Sequence, residues 1–167
     1  MTTYKITDET RDKFFDIIKK TKKREKIALL CVDKNNDIST GKTYTVGERG
    51  SNTDPKNTCK KGTKRIGFFH THTSKLNNEF SYGDLITGLN KNVKIMCLGN
   101  KPDELKCVAR KSDKNLKKRL DKNFENYNNI NGSAKKFLRG EVSESAERKG
   151  DRAAKKLLKR EFKLFRF

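Results

Sequence analysis

The sequence predicts an α+β (α/β layered) fold. Short apolar runs of strand length recur along the chain, and apolar residues at helical spacing occur before and between them. The predicted order is helix, strand, strand, strand, helix, strand, strand, which is typical of layered domains. At 167 residues the chain suits one such domain plus an extension, and it is too short for two full domains.

The first helix is predicted to begin at Thr7 or Asp8. Either side chain can cap it, and acidic residues at positions 8 and 9 favour its first turn, because the N-terminus of a helix carries a partial positive charge. A basic run over residues 19–24 closes the helix. The residues expected to face the core are Phe14, Ile17 and Ile18.

Three strands are predicted next. Residues 26–32 are nearly all apolar, which indicates a strand buried on both faces. Residues 42–46 alternate and are rich in β-branched side chains, and residues 65–72 form a third strand that ends in two histidines. The polar segment 47–64 is predicted to be a long loop, and loops of this length in compact domains are often functional.

The rest of the chain falls into two parts. A helix over residues 81–89 and strands over 93–98 and 104–109 complete a predicted domain of residues 1–112. Residues 113–167 carry 17 Lys and Arg against 8 Asp and Glu, and we expect them to form a basic helical C-terminal extension without strands. Its first helix covers 116–127. Its last is an amphipathic helix whose apolar face comprises Ala153, Ala154, Leu157, Leu158, Phe162 and Phe165.

The charge of the chain is strongly unbalanced. Lys and Arg number 41 and Asp and Glu number 21, a net charge of +20. Such an excess favours an anionic partner, either nucleic acid, an acidic protein or an anionic membrane surface. The basic tail is the candidate contact for nucleic acid phosphates. The alternative is that the charge serves only solubility.

Location is predicted from two absences and from the cysteines. The sequence has no apolar run of about 20 residues and no apolar stretch at its start, so we expect no transmembrane segment, no signal peptide and a cytoplasmic (intracellular) protein. Cys31, Cys97 and Cys107 lie in strand-like runs and are interpreted as buried, reduced thiols. Cys59 lies in a Lys-rich loop and is interpreted as a free thiol, so no disulfide is expected.

His70 and His72 are the residues most suggestive of chemistry. Residues two apart on a strand project to the same face, so both imidazoles can bind one ion. Asp84, in the first turn of the next helix, is the best third ligand, and three protein ligands leave the fourth position of a catalytic zinc site open. The alternatives are that the histidines are ordinary surface residues and that Ser81 and Asp84 form only a capping box.

The same residues resemble a known family. Ile66-Gly67-Phe68-Phe69-His70-Thr71-His72, followed by Ser81-Tyr82-Gly83-Asp84, is similar to the JAMM motif of the JAB/MPN domain metalloproteases. The resemblance covers roughly residues 5–110, and Glu25 stands where the family has a glutamate before a buried strand. The chain departs from the family pattern at Ala28, usually Gly, at Thr73, usually Pro, and in an eight-residue loop over 73–80 that usually has seven. These departures indicate a divergent prokaryotic or viral-type member.

The resemblance implies a fold, a site and an activity. The fold would be a cytidine-deaminase-like mixed sheet flanked by helices. Zinc would be held by His70, His72 and Asp84, with Glu25 as general base and Ser81 stabilising the oxyanion. The reaction would be hydrolysis of a peptide or isopeptide bond in a protein substrate, such as an acidic ubiquitin-like modifier.

Three alternatives stay open at this point. Glu48 is a rival to Glu25 as the base. The second alternative to a protease is a JAB-like scaffold that binds nucleic acid through its basic surface. The third is a metal-dependent nuclease. A two-metal nuclease is disfavoured because the sequence lacks a cluster of carboxylates around the histidines.

Overall fold

A computed structural model of the chain describes residues 3–45, 59–73, 79–100, 102–131 and 144–165. Within these ranges the chain forms seven strands and four helices. In chain order they are β1 (Lys5–Ile6), α1 (Asp8–Lys20), β2 (Lys26–Val32), β3 (Asp37–Thr45), β4 (Lys64–Thr71), α2 (Tyr82–Gly88), β5 (Ile95–Asn100), β6 (Glu104–Arg110), α3 (Leu116–Asn131), α4 (Glu144–Glu161) and β7 (Phe162–Phe165).

The strands form one mixed sheet in the order β1-β3-β2-β4-β5-β6-β7. The pairs β1/β3 and β4/β5 are parallel, and the other pairs are antiparallel. Because parallel neighbours need a crossover connection, the chain passes from β4 through α2 to β5. This crossover brings the start of α2 next to the end of β4, where the two histidines lie. The predicted α+β class, a sheet flanked by helices, is confirmed.

The sheet has a separate apolar core on each face. On one face α1 packs through the predicted residues Phe14, Ile17 and Ile18, and the ring of Phe14 stacks on that of Phe69 with 4.5 Å between centroids. On the other face α2, α3 and α4 cover a second cluster, which includes Leu85, Met96 and Leu157. Side chains that alternate along β4 therefore serve both layers.

Gly67 is required by the contact between β4 and β5. It pairs with Ile95, and a Cβ at this position would lie 1.7 Å from the Ile95 carbonyl oxygen. A backbone carbonyl held in a strand cannot move aside for a Cβ, so only glycine allows the two strands to pair this closely. The glycine of the motif thus has a structural cause that is independent of chemistry.

The C-terminal part of the chain differs from the helical extension without strands that the sequence predicts. Residues 162–165 are not the end of a helix but the edge strand β7, which pairs with β6 from Cys107 to Arg110. The helix before it, α4, packs through Ala154 and Leu157 on the second core. Residues 116–131 and 144–165 therefore complete the same sheet and core as the preceding elements.

A buried carboxylate fixes the position of the last helix. Glu161, at the end of α4, lies 2.8 Å from the Arg119 guanidinium of α3 and 3.0 Å from that of Arg160. Its side chain is only 7% exposed, so the two cations compensate its burial.

Across the described residues, no helix combines the length and the apolar character that a membrane span requires.

Two further differences concern element boundaries. The strand predicted over 42–46 begins earlier, at Asp37, because the polar residues after the turn continue the ladder with β2. The strand β1 was not predicted, since two residues are too short to show a pattern. Most of the predicted 47–64 loop lies outside the described residues.

The interpretation of the cysteines as reduced thiols is wrong for this structure, which contains two disulfides. Cys97 and Cys107 lie directly opposite each other in the β5/β6 ladder and are bonded. Cys31 of β2 is bonded to Cys59, so Cys59 is not free. The sequence could not reveal either pair, because pairing depends on strand register and on where a distant loop returns. Bridges of this kind persist in oxidising environments.

Candidate metal centre

The two histidines occupy the end of β4. His70 is in the strand and His72 follows it, held by its backbone N–H, which donates to the Gly99 carbonyl at 3.1 Å. As predicted, both side chains project to the same face, with ring centroids 4.9 Å apart. Both are more than 90% buried, and His70 lies against Phe68 and Phe80. They are therefore not ordinary surface histidines.

Thr71, between the two histidines, points to the opposite face of the strand and is fully buried. It accepts a hydrogen bond from the Lys26 backbone N–H at 3.0 Å and lies 2.8 Å from the hydroxyl of Thr21. Thr21 donates its own proton to the Ile17 carbonyl at 2.9 Å, so the proton between the two threonines comes from Thr71. This chain of bonds joins the end of α1 to the strand between the histidines.

Asp84 reaches the histidines from the first turn of α2. Ser81 is the N-cap: its hydroxyl oxygen accepts the Asp84 N–H at 3.1 Å, and Asp84 Oδ2 accepts the Ser81 N–H at 2.9 Å. The predicted capping box is thus present. The same Oδ2 atom lies 3.2 Å from His70 Nε2 and 3.5 Å from His72 Nε2. The capping and the ligand interpretations of Asp84 are compatible, because one oxygen serves both.

Three possible ligand atoms form a nearly equilateral triangle. The two Nε2 atoms are 3.1 Å apart, and each lies within 3.5 Å of Asp84 Oδ2. With bonds of about 2.0–2.1 Å, tetrahedral ligands of zinc are separated by about 3.3 Å, so this triangle matches one face of a zinc tetrahedron. Two imidazoles and a carboxylate are also a donor set that suits zinc. Among the described residues this is the only group of three or more His, Cys, Asp or Glu side chains placed to bind a metal.

The electrostatics of Asp84 favour its ligand form. Burial alone would raise the pKa of Asp84, but the neighbouring His70, the hydrogen bonds from both imidazoles and the Ser81 N–H together hold that pKa well below its usual range. The lowered pKa keeps Asp84 ionised at neutral pH, and a carboxylate is the form that binds a cation.

Sequence reasoning missed one side chain close to this site. Tyr127 of α3 packs against Tyr82 with 5.7 Å between ring centroids, and its hydroxyl oxygen is 3.6 Å from the place where a Cβ on Gly83 would lie. The Ser81 hydroxyl is 3.8 Å from that same point. Burial, and after it the negative charge of Asp84, raise the pKa of Tyr127. No sequence signal linked Tyr127 to the motif, because α3 follows it by more than thirty residues.

Of the two candidate bases, only Glu25 lies within the described residues. Glu25 immediately precedes β2 and is half-buried. Ile27 pairs with His70 in the antiparallel ladder, so the same register continued by two residues sets Glu25 level with His72. Glu25 and Ile27 are two residues apart, so they point to the same face of the sheet. Ile27 packs on the second core, which lies on the face that carries His70. Glu48 lies outside the described residues.

Comparisons with known proteins give structural neighbours only. No protein-family model matches the sequence, and no curated protein matches it. The chain is similar in structure to a JAB1/MPN domain protein from Archaeoglobus fulgidus, with 20% identity over 64% of this chain and 88% of that one and a TM-score of 0.46. It is also similar to a solved structure described as "JAMM: A Metalloprotease-like Zinc Site in the Proteasome and Signalosome". That match has 21% identity over 65% of this chain and 88% of that one, with a TM-score of 0.44.

Proposed function

We propose that the chain is a zinc-dependent hydrolase of the JAB/MPN type that cleaves a peptide or isopeptide bond. The observation that carries the proposal is the triangle formed by His70 Nε2, His72 Nε2 and Asp84 Oδ2, with sides of 3.1, 3.2 and 3.5 Å. The JAMM-like spacing of these residues in the sequence supports the same function. A substrate carrying a ubiquitin-like modifier is part of this proposal and rests on the family resemblance.

In this proposal each residue has a distinct task. His70, His72 and Asp84 would hold zinc, which when bound would supply a Lewis acid for attack of water on an amide. Glu25 would act as general base toward the attacking water and as general acid toward the departing amine. Ser81 stabilises the oxyanion: its hydroxyl oxygen is already used as a helix cap, which leaves its proton free to be donated to the substrate carbonyl.

The accessible side of the site is the N-terminus of α2. The two histidines are buried, whereas the Asp84 side chain is 21% exposed and Ser81 is exposed. Substrate therefore reaches the site from the side of the α2 N-terminus. The absence of a carboxylate cluster among the described residues continues to disfavour a two-metal nuclease.

The test combines metal content with cleavage. Purified protein is analysed for zinc and is then incubated with a synthetic peptide whose C-terminal glycine is linked to a lysine side chain, and with a linear peptide of the same composition; products are identified by mass spectrometry. We expect about one zinc per chain, lost in His72→Ala. Glu25→Gln should keep the zinc and lose at least about 100-fold in cleavage rate.

Glu9→Gln is the matched control, since Glu9 is an exposed glutamate of α1 that pairs with Lys13. It should keep both zinc and activity. Zinc retained by His72→Ala would contradict the metal site. Cleavage unchanged in Glu25→Gln would contradict the assigned base, and zinc binding without cleavage of either peptide would favour the scaffold function.

A further inference from the structure

A groove lies between α4 and the β6/β7 edge of the sheet, with a volume of about 400 Å³. Its floor is apolar and is formed by Val108, Leu158, Phe162 and Leu164. Its rim carries five lysines, which are Lys106, Lys111, Lys155, Lys159 and Lys163. Among the described residues, no acidic side chain lines it. We refer to it below as the lysine groove.

One apolar side chain on the floor of the lysine groove, that of Leu164, is strongly exposed. Leu164 lies directly opposite Val108 in the β6/β7 ladder, yet its surface is 56% exposed. The cause is the corner at which α4 ends and the chain turns back into the sheet at Phe162, because the helix no longer covers the strand beyond that point. Leu164 is one of two large apolar residues exposed in the described part of the chain.

Two of the rim lysines have partners that neutralise little of their charge. Lys155 Nζ is 3.9 Å from the Glu79 carboxylate, and both side chains are largely exposed, so this pair is weak. Lys111 donates to the Lys159 carbonyl, which carries no formal charge. A cleft lined by one sign of charge concentrates ions of the opposite sign. The lysine groove thus attracts an anionic partner.

We propose that the lysine groove binds an acidic polypeptide segment that inserts one apolar side chain over Leu164 and Leu158, the two floor residues that are accessible. The apolar floor favours a peptide over nucleic acid, since a phosphate backbone gains nothing from it. The one aromatic side chain of the floor, Phe162, is only 3% exposed and offers no surface on which a base can stack. Carboxylates on both sides of an apolar anchor match a lysine rim around an apolar floor.

The groove also lies close to the candidate metal centre. Lys155 lines the groove, and its neighbour Glu79 precedes the N-cap Ser81 by two residues. The proposal does not depend on the proposed function, because binding in the groove can be measured without catalysis.

The test measures binding by fluorescence anisotropy on the full chain at 150 mM salt. The probes are a labelled 12-residue peptide of Asp and Glu with one central Leu, the same peptide with Ser in place of Leu, and a 12-nucleotide oligo-dT. We expect the Leu peptide to bind at least tenfold more tightly than the Ser peptide and the oligonucleotide. The double variant Lys106→Glu, Lys159→Glu and the single variant Leu164→Ser should each weaken binding at least tenfold.

The control is the double variant Lys34→Glu, Lys117→Glu, which changes the net charge equally at exposed positions outside the groove. It should bind the Leu peptide like the wild type. The proposal is overturned by equal losses in both charge variants, which would indicate diffuse attraction. Equal binding of the two peptides, tighter binding of the oligonucleotide, or no peptide binding at all would also overturn it.

Discussion

The hydroxyls of Thr21 and Thr71 lie 2.8 Å apart in the interior, one at the end of α1 and the other between the two histidines. The second hydroxyl also accepts the backbone N–H of Lys26, the residue after Glu25. The position of the proposed base is thus linked to the strand that carries the proposed ligands.

Replacing Thr71 by Val should remove the hydrogen bonds that join these elements while keeping the shape of the side chain. The change leaves the Lys26 N–H and the Thr21 oxygen without their partner, at a cost of about 1–3 kcal/mol in unfolding free energy, measured by urea denaturation. Thr71→Ser should restore most of it. Thr87→Val is the control, since Thr87 bonds only to the Gly83 carbonyl on an exposed helix face; a loss as large there would contradict a special role for Thr71.

Removal of metal should destabilise the protein. A ligand that binds only the folded state stabilises it by about 2.7 kcal/mol at a free concentration 100 times its dissociation constant. We therefore expect zinc to raise the melting temperature of chelator-treated protein, measured by calorimetry. Asp84→Asn should abolish this rise, whereas Asp113→Asn, a carboxylate outside the site, should leave it intact. An equal rise in Asp84→Asn would show that zinc binds elsewhere.

The phenol of Tyr127 should titrate late. Burial and the negative charge of Asp84 both disfavour the phenolate, which is why its pKa is raised above the ordinary value of 10.0. Ultraviolet titration of the wild type minus Tyr127→Phe should show this phenol ionising above that value. Asp84→Asn should lower the midpoint, because the neighbouring charge is gone; an unchanged midpoint would contradict electrostatic coupling between the two side chains.

Both disulfides should be detectable chemically. Alkylation of denatured, unreduced protein should label none of the four cysteines, and mass spectrometry should identify the two linked peptide pairs. Loop-closure entropy makes the bridge that spans 28 residues worth about 3.6 kcal/mol and the one that spans 10 about 2.7 kcal/mol. Removing both partners of the first should therefore destabilise more. Labelling of all four cysteines would restore the interpretation as reduced thiols.

Asp113 should contribute a small acid-sensitive term to stability. Burial opposes ionisation, but hydrogen bonding and attraction from Arg110, together with Lys94, outweigh it and lower the pKa of Asp113. A lowered folded-state pKa stabilises above the unfolded value of 3.8 and loses that effect as pH falls through the folded-state value. The difference between wild type and Asp113→Asn should be at most about 1 kcal/mol at pH 6, because the Asp113 side chain is 57% exposed and its charge is screened by solvent. It should shrink toward pH 2; a difference that grew with acidity would have the wrong sign.

Local patterns in the sequence were sufficient for most of the fold. The apolar run at 26–32 predicted β2 with its observed bounds, and the spacing of Ser81 and Asp84 predicted the capping box. The H-x-H pair predicted a shared face because strand geometry fixes side-chain direction over two residues. These features depend on neighbours in sequence.

The features that were missed depend on distant neighbours. Phe162 and Phe165 continue the helical spacing of Ala154 and Leu157, so only pairing with β6 reveals that they lie in a strand. The Cys97–Cys107 pair depends on the register of two strands. Tyr127 approaches the site only because α3 packs beside α2.

A single oxygen of Asp84 both caps α2 and faces the two imidazoles. A glutamate would carry its carboxylate one methylene too far to keep both contacts, and an asparagine would keep a cap without the charge. The helix cap alone is therefore a sufficient reason to keep a side chain such as aspartate here. In a related sequence, the survival of this residue would not report whether the protein still works as an enzyme; the histidine pair, which caps nothing, is the informative marker.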